Sequence, residues 1–205
     1  MTFIFKKGKI ILIGFEVRVI LTEDLKDKLE CFPVIAAIRE ERFNKAIDSS
    51  AQVLFYLEAN LLTVKERIEA AHKAKKTLFV HLDLADGIGK DKAGIEYLAN
   101  CGVDGIISTR AQIIRIAKEL GLLTVQRFFL LDSQGVDSAW EVMKTTLPDF
   151  IELMPGIIPK LISRFAKSSV PVIAGGLIET KAEITSALGS GAAAISTGSP
   201  KLWEM

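Results

Sequence analysis

The sequence predicts an α/β fold, a small (β/α)8 TIM-like barrel that follows an N-terminal extension. Eight short runs of β-branched and other apolar residues recur along the chain from Pro33 onward. Each run is almost continuously hydrophobic, which is typical of strands buried on both faces of a parallel sheet. Amphipathic, charged segments separate the runs, and this alternation indicates right-handed βαβ units. Eight units favour a closed barrel near the lower size limit, with a doubly wound open sheet as the alternative.

The order of elements follows from these runs and from the residues that end the helices. The predicted strands are residues 33–38, 53–57, 77–82, 105–108, 122–126, 150–153, 170–174 and 192–196. Residues 63–75 and 180–188 each begin with a threonine that precedes a glutamate by three positions, the pattern of a capping box. Residues 111–120 end at Gly121, a residue favoured just past a helix. Few residues follow the eighth run, so we expect the last helix to be short or absent.

The chain is predicted to consist of an N-terminal extension, residues 1–32, and a barrel, residues 33–205, because no linker follows Pro33. Residues 21–30 have the pattern of a helix capped by Thr22, which we expect to cover the bottom of the barrel. The apolar patch near the N-terminus is interrupted by Glu16 and Arg18. It is too short for a signal sequence or a membrane span. We therefore expect a soluble, cytoplasmic protein with no membrane partner.

Composition excludes several classes of protein. Of the 205 residues, 49% are hydrophobic, and the mean hydropathy is +0.32, which excludes a disordered chain. The 26 basic and 25 acidic residues give a net charge of +1, so no bulk positive charge draws the protein to nucleic acid. The two cysteines, Cys31 and Cys101, fit neither a disulfide framework nor a cysteine-rich zinc site.

The loops after the seventh and eighth strands are candidates for phosphate binding. In barrels of this type the functional face is built at the carboxyl ends of the strands, and phosphates bind after strands seven and eight. Glycines let backbone amides approach an anion, and hydroxyls add donors. The alternative is that both segments are only tight turns. The candidate residues are Gly175, Gly176, Ser196, Thr197 and Gly198.

Three arginines also close predicted strands, and a guanidinium can hold a phosphate with two hydrogen bonds. They are Arg39, Arg110 and Arg127. The same rim supplies three acids that could neutralise them, namely Glu58, Asp83 and Glu152. We expect one or two of the arginines to be neutralised in this way, and at least one to face a ligand.

The remaining polar residues at the strand ends allow more than one interpretation. His81 and Asp83 lie two residues apart, which places both on one face of a strand. They could act as a base and its orienting group, or form a metal cluster with Glu58, or form a hydrogen-bonded plug. We expect neither a metal nor a catalytic residue. Glu152 suits the hydroxyls of a polyol or one of the arginines, and two further polar groups lie on the rim, Ser108 and Gln126.

A local excess of positive charge follows the second strand and continues past the third. It contains Lys73, Lys75, Lys76, Lys90 and Lys92. Charge patterning alone favours a solvated helix face. No RNA-recognition signature and no aromatic stacking surface accompany these lysines, so they are weak candidates for RNA contacts.

Several motifs together resemble the glycerol uptake operon antiterminator family, the regulatory proteins of bacterial glycerol catabolism. The resemblance covers about residues 31–203 in order, and it does not cover residues 1–20. The motifs that carry it are PVIAAIR at 33–39, FVHLDL at 79–84, DGIISTR at 104–110, QRFFLLDS at 126–133, MPGIIP at 154–159, PVIAGGLI at 171–178 and the pair Leu202 and Trp203.

The resemblance implies a regulator that is not an enzyme and needs no cofactor. Its effector would be glycerol 3-phosphate, and its target would be the leader mRNA of glycerol genes, on which it prevents premature termination. The phosphate would lie on Gly175, Gly176, Thr197 and Gly198, with help from Arg110 or Arg127. The resemblance leaves a homo-oligomer open. The alternatives are a phosphate-binding barrel enzyme acting on a glycerol phosphate or phosphodiester, and a ligand sensor whose partner is a protein.

Overall fold

Eight parallel strands close into a barrel, which confirms the predicted fold class. The computed structural model describes residues 3–6, 9–12 and 15–204, with side chains for residues 23–204. A separate antiparallel hairpin of strands β1, Phe3–Lys6, and β2, Lys9–Leu12, precedes the barrel. The barrel strands pair in the order β10-β3-β4-β5-β6-β7-β8-β9. Their bounds are β3 Val34–Ile38, β4 Val53–Tyr56, β5 Thr77–His81, β6 Gly105–Ser108, β7 Leu123–Phe129, β8 Phe150–Met154, β9 Val172–Gly175 and β10 Ala194–Thr197.

Helices precede the barrel and connect its strands. Their bounds are α1 Phe15–Cys31, α2 Phe43–Asp48, α3 Val64–Lys73, α4 Lys92–Asn100, α5 Ala111–Glu119, α6 Ser133–Thr146, α7 Pro159–Phe165 and α8 Lys181–Gly189. After β10 the chain forms only a short 3-10 turn, Pro200–Leu202, so the expected loss of the last helix is confirmed. Trp203 follows this turn, is fully buried, and donates its indole N–H to the carbonyl of Thr197 at 2.9 Å.

One predicted capping box is present and the other is absent. The Thr180 hydroxyl accepts from the amide of Glu183 at 3.3 Å, and the Glu183 carboxylate accepts from the amide of Thr180 at 2.9 Å. At the start of α3, however, Thr63 makes no cap bond through its side chain. The carbonyl of Asn60 accepts from the amides of Thr63 and Val64. Because this preceding turn already satisfies the first helical donors, the prediction of a second box is wrong.

Helix α1 covers the amino end of the barrel, as expected, but it begins earlier than predicted. The helix starts at Phe15, so Thr22 lies inside it and is not its N-cap. The apolar residues before Thr22 continue the helical segment, which removes the need for a cap at that position. Leu25 and Leu29 are buried against the first residues of several strands, among them Val53 and Phe150. The ammonium of Lys28 donates to the Thr77 hydroxyl at 2.8 Å.

The barrel interior separates an apolar core from a polar carboxyl end. Side chains alternate along each strand, and those that face inward in the middle of the barrel form one buried cluster. This cluster includes Ile35, Phe55, Phe79, Ile107, Val125, Phe150, Ile173 and Ala194. Outward-facing residues form a second cluster with the helices. On each strand, the next inward-facing residue toward the carboxyl end lies directly above this core. A ligand that enters the barrel from the carboxyl end would contact these residues first.

Candidate functional site

A layer of buried polar side chains lies directly above the apolar barrel core. Each of its four members follows a core residue by two positions on its own strand, so it faces inward at the carboxyl end. Buried polar groups at the mouth of a barrel are a costly arrangement unless they serve a structure or a ligand. The four residues are His81, Arg127, Glu152 and Ser196.

Three of these four side chains bond to one another. The register of β7 and β8 places Arg127 opposite Glu152, and the guanidinium Nε donates to the carboxylate at 2.5 Å. The Ser196 hydroxyl donates to the other carboxylate oxygen. A Cβ added at Gly175 would lie 2.5 Å from both Glu152 and Ser196. Gly175 therefore makes room for this polar network. Arg127 is one of the arginines that a carboxylate neutralises, and its contact with a phosphate stays a prediction.

His81 differs from its neighbours because its ring has no hydrogen-bond partner in the described part of the chain. The side chain is only 3% exposed, and both Nδ1 and Nε2 are buried and unpaired. Burial and, to a smaller extent, the positive charge of Arg127 lower the pKa of His81 to about 4, against the opposing effects of Asp83 and Glu152. The imidazole is therefore neutral near pH 7.

Asp83 does not share a strand face with His81, so that prediction is wrong. Strand β5 ends at His81, and a 3-10 turn, Leu82–Leu84, redirects the chain. The Asp83 carboxylate accepts from the Ser108 hydroxyl at 2.8 Å and from the amide and hydroxyl of Thr109 at 2.7 and 2.9 Å. Burial acts to raise the pKa of Asp83, but these hydrogen bonds outweigh it and hold the pKa below its usual value. Asp83 therefore fixes the turn after β6.

All three candidate arginines lie beside a carboxylate, which is more than the expected one or two. Besides the buried Arg127, Arg39 Nε lies 3.2 Å from Glu58, and Arg110 Nε lies 3.6 Å from Asp83. The second and third pairs stand on the rim, where Arg39 and Arg110 remain more than half exposed. Exposed pairs of this kind contribute little stability, so both guanidinium groups keep donors toward solvent.

Gln126 and Ser108 do not face the mouth, contrary to the prediction. Strand β7 continues to Phe129, so Gln126 lies within it and points to the opposite face from Arg127. Its carbonyl accepts from the Thr146 hydroxyl on α6 at 2.6 Å, and its amide nitrogen has no partner among the described residues. Ser108 likewise faces away from the interior and holds Asp83. Both residues support the barrel wall.

The loops after β9 and β10 converge on a cavity at the carboxyl end. The Thr197 hydroxyl donates to the carbonyl of Ile178 at 2.7 Å and accepts from the amide of Ser199 at 3.1 Å, so it joins the two loops. The Arg42 guanidinium donates to the carbonyl of Gly198 at 2.6 Å. The cavity has a volume of about 520 Å³ and is lined by Arg42, Leu177, Ile178, Glu179, Gly198, Ser199, Pro200 and Lys201.

The backbone beside this cavity adopts left-handed conformations. Gly176 has φ +74°, and Leu177, which is 64% exposed, has φ +60°. A left-handed residue other than glycine costs about 1 kcal/mol or more. A Cβ at Gly176 would also lie 2.7 Å from the Met154 side chain. The two glycines therefore serve close packing and a turn, and the strained Leu177 lies at the cavity edge.

Sequence reasoning missed the two cations that line this cavity. Arg42 lies four positions past the end of β3, and Lys201 lies in the 3-10 turn after β10. Neither residue lies directly at the end of a predicted strand, where side chains of the functional face are expected. A signal for Arg42 exists in the sequence, because four consecutive charged residues, 39–42, precede Phe43 in a loop of the functional face.

The basic segment does not form one surface. Lys73 is the last residue of α3 and Lys75 follows it, so both lie near the amino end of the barrel. Lys90 precedes α4 and Lys92 is its first residue, so both lie at the carboxyl end. Lys76 is buried, and its ammonium donates to the carbonyls of Ser49 and Ala51 at 2.7 and 2.6 Å; burial lowers its pKa. Lys90 donates to two carbonyls of its own loop. These five lysines therefore do not share one face, and their contact with RNA stays a prediction.

Two negative findings concern the part of the chain that the structure describes. Within it, no three histidine, cysteine, aspartate or glutamate side chains stand where they could hold a metal ion together. None of the described helices combines the length and the apolar character that crossing a membrane requires.

Comparisons with known proteins agree on one family. Residues 34–203 match the family described as "Glycerol-3-phosphate responsive antiterminator". A crystal structure named as a glycerol uptake operon antiterminator regulatory protein of Listeria monocytogenes is 34% identical, with a TM-score of 0.80, over 84% of this chain and 95% of that one.

Two further relatives show the same extent of similarity. A glycerol uptake operon antiterminator-related protein of Thermotoga maritima is 32% identical, with a TM-score of 0.74, over 84% of this chain and 98% of that one. The Escherichia coli K12 protein YgcP is 32% identical over 84% of this chain and 92% of its own length. The polar mouth and the joined loops described above thus lie within the matched region, and the chain belongs to the glycerol-3-phosphate responsive antiterminator family.

Proposed function

We propose that this protein is a glycerol 3-phosphate-responsive transcription antiterminator. In this proposal it binds the leader mRNA of glycerol uptake and catabolism genes in the cytoplasm and prevents premature termination. The family match supports the response to glycerol 3-phosphate and the regulatory role. The barrel supplies the effector site, and the loops of its carboxyl end transmit effector binding to the RNA.

The observation that carries the effector site is the cavity between the loops after β9 and β10. TIM barrels bind phosphate groups at this position. Two cations, Arg42 and Lys201, line the cavity against one acid, Glu179. The Arg42 guanidinium uses one Nη to hold Gly198, and its remaining N–H groups can bind two phosphate oxygens in a planar fork. The phosphate of glycerol 3-phosphate would therefore lie between Arg42 and the Gly198 loop.

An effector changes a regulator only if it binds two conformations with different affinities. The loop that contains Leu177 offers such a difference, because its left-handed backbone is strained. The Thr197 hydroxyl connects this loop to the Ser199 loop, so a phosphate held by one loop also restrains the other. Binding would then favour one arrangement of the carboxyl-end loops.

RNA contact by a chain with a net charge of +1 requires cations that are grouped locally. The carboxyl end offers Arg39, Arg110 and Lys92, each more than half exposed. They follow strands β3, β5 and β6 and so lie on the same end of the barrel as the loops that would respond to the effector. We therefore assign the RNA contact to the carboxyl-end rim.

Titration calorimetry and RNA shift assays test the proposal together. We expect glycerol 3-phosphate to bind, glycerol to bind at least tenfold more weakly, and leader RNA to shift with an affinity that depends on the effector. Arg42→Met should lose effector binding, whereas Lys144→Met, a matched exposed cation on α6, should keep it. Equal binding of glycerol and its phosphate, or unshifted RNA under all conditions, contradicts the proposal. Consumption of glycerol 3-phosphate, followed by phosphorus NMR, would instead indicate an enzyme.

A further inference from the structure

His81 is a buried polar side chain that neither the fold nor the phosphate site uses. The ring lies at the inner end of the barrel mouth, with both nitrogens unpaired among the described residues. An apolar side chain in the same place would pack without leaving unpaired donors and acceptors, since an unmade buried hydrogen bond is destabilising. Because His81 faces the mouth, its unpaired nitrogens are available to a partner that enters the barrel from outside.

The chemistry of the ring specifies the kind of partner. A neutral imidazole offers one N–H donor and one nitrogen acceptor. The charges beside it are already matched, because Arg127 pairs with Glu152 and the Ser196 hydroxyl bonds to the same carboxylate. No unbalanced charge of this pair is therefore left to attract an ionic group of a ligand. A hydroxyl, which both donates and accepts, complements it better than a phosphate or carboxylate does.

The polar layer lies deeper in the barrel than the phosphate cavity. Ser196 belongs to the layer, and Gly198 lines the cavity two residues later along the same strand direction. At about 3.3 Å per residue the two levels are separated by about 7 Å. His81 lies on β5, three strands from β10 in the barrel order, so a three-carbon ester held in the cavity reaches the ring by extending across the mouth as well as down this step.

We propose that His81 recognises a hydroxyl group of a three-carbon phosphate ester whose phosphate occupies the cavity between the loops after β9 and β10. This inference rests on the proposed function and adds to it a residue that determines specificity. Because His81 is 3% exposed, a ligand reaches it only when side chains at the mouth move. Recognition of the hydroxyl is therefore coupled to the loop rearrangement that an effector must produce.

Calorimetry with two esters separates recognition of the hydroxyl from recognition of the phosphate. The probes are glycerol 3-phosphate and n-propyl phosphate, which lacks both hydroxyls. We expect the wild type to prefer glycerol 3-phosphate by about tenfold or more, as loss of a hydrogen bond to a buried partner implies. His81→Phe should bind both esters with the affinity that the wild type shows for n-propyl phosphate. His81→Gln, which keeps a donor and an acceptor, should retain part of the preference.

Gln126→Leu is the matched control. Its amide nitrogen is also buried and unpaired, but it faces α6 on the outside of the barrel, so this variant should keep the full preference. If the wild type binds both esters and His81→Phe keeps the preference, the inference about His81 is wrong while the phosphate site stands. If the wild type binds neither ester, the proposed function fails, and the inference fails with it.

A spectroscopic measurement on the wild type covers the case in which His81→Phe does not fold. The ring nitrogens of His81 can be followed by nitrogen NMR, since His72 is the only other histidine in the chain. Glycerol 3-phosphate should shift one or both nitrogen resonances toward hydrogen-bonded values, and n-propyl phosphate should not. Identical responses to the two esters would overturn the inference.

Discussion

Acidification should destabilise this protein through His81 before its carboxylates are protonated. The folded chain holds the pKa of His81 at about 4, compared with 6.5 in the unfolded chain. Between these values the unfolded chain binds a proton that the folded chain does not, so stability falls as the pH decreases. The contribution of His81 is complete above pH 6.5 and is lost progressively down to pH 4.

The magnitude follows from the difference between the two pKa values. A difference of 2.5 pKa units corresponds to about 3 kcal/mol in total. Between pH 7 and pH 5 the linkage relation gives a loss of about 2 kcal/mol. Three charged groups face the ring. Arg127 on β7 opposes its protonation, whereas Asp83, in the turn after β5, and Glu152, on β8, favour it.

Urea denaturation of the wild type and His81→Gln at pH 7 and pH 5 measures this contribution. The variant lacks the titrating ring, so its loss of stability between the two pH values should be smaller by about 2 kcal/mol. Subtracting the loss of unfolding free energy of the variant from that of the wild type removes the contribution of groups that titrate in both proteins. Equal losses in wild type and variant would refute the account of a buried, neutral His81.

The remaining predictions concern the packing of the barrel mouth and are measured by urea denaturation at pH 7. Gly175→Ala should destabilise by about 1–3 kcal/mol, because its Cβ would lie 2.5 Å from buried polar atoms; Gly189→Ala, with no atom within 4 Å, should not. Glu152→Gln should cost about 3–5 kcal/mol by leaving Arg127 buried without its counter-ion, and a cost below 1 kcal/mol would contradict the pairing. Trp203→Ala should cost about 3–5 kcal/mol by opening a cavity, and an unchanged midpoint would contradict its packing role.

The sequence was sufficient to predict the barrel because its strands are buried on both faces. Few folds other than a parallel barrel or open sheet accommodate continuous apolar runs separated by amphipathic segments. All eight runs are strands of the barrel. A short element after β10 was also predicted, and the described chain forms a 3-10 turn there. The extent of α1 was not, because residues before Thr22 combine apolar character with no clear helix-start signal.

The sequence predicted several of the polar residues at the barrel mouth, but not which of them bond to one another. Strand register, which places Arg127 opposite Glu152, is not encoded in either strand alone. Alternation along a strand decides which face a side chain takes. Because β7 continues to Phe129, Gln126 lies inside the strand and points away from the mouth. Strand β5 ends at His81, so Asp83 lies in the following turn and binds the loop after β6 instead of facing the barrel interior. Arg42 reaches the mouth only through the fold of the loop after β3.

A crystal structure of the protein bound to glycerol 3-phosphate tests the central claim most directly. The account predicts that the phosphate lies between the Arg42 guanidinium and the loop of Gly198 and Ser199, with a hydroxyl of the ligand within hydrogen-bonding distance of the His81 ring. A phosphate bound elsewhere on the barrel, with Arg42 still directed only at the Gly198 carbonyl, would contradict it.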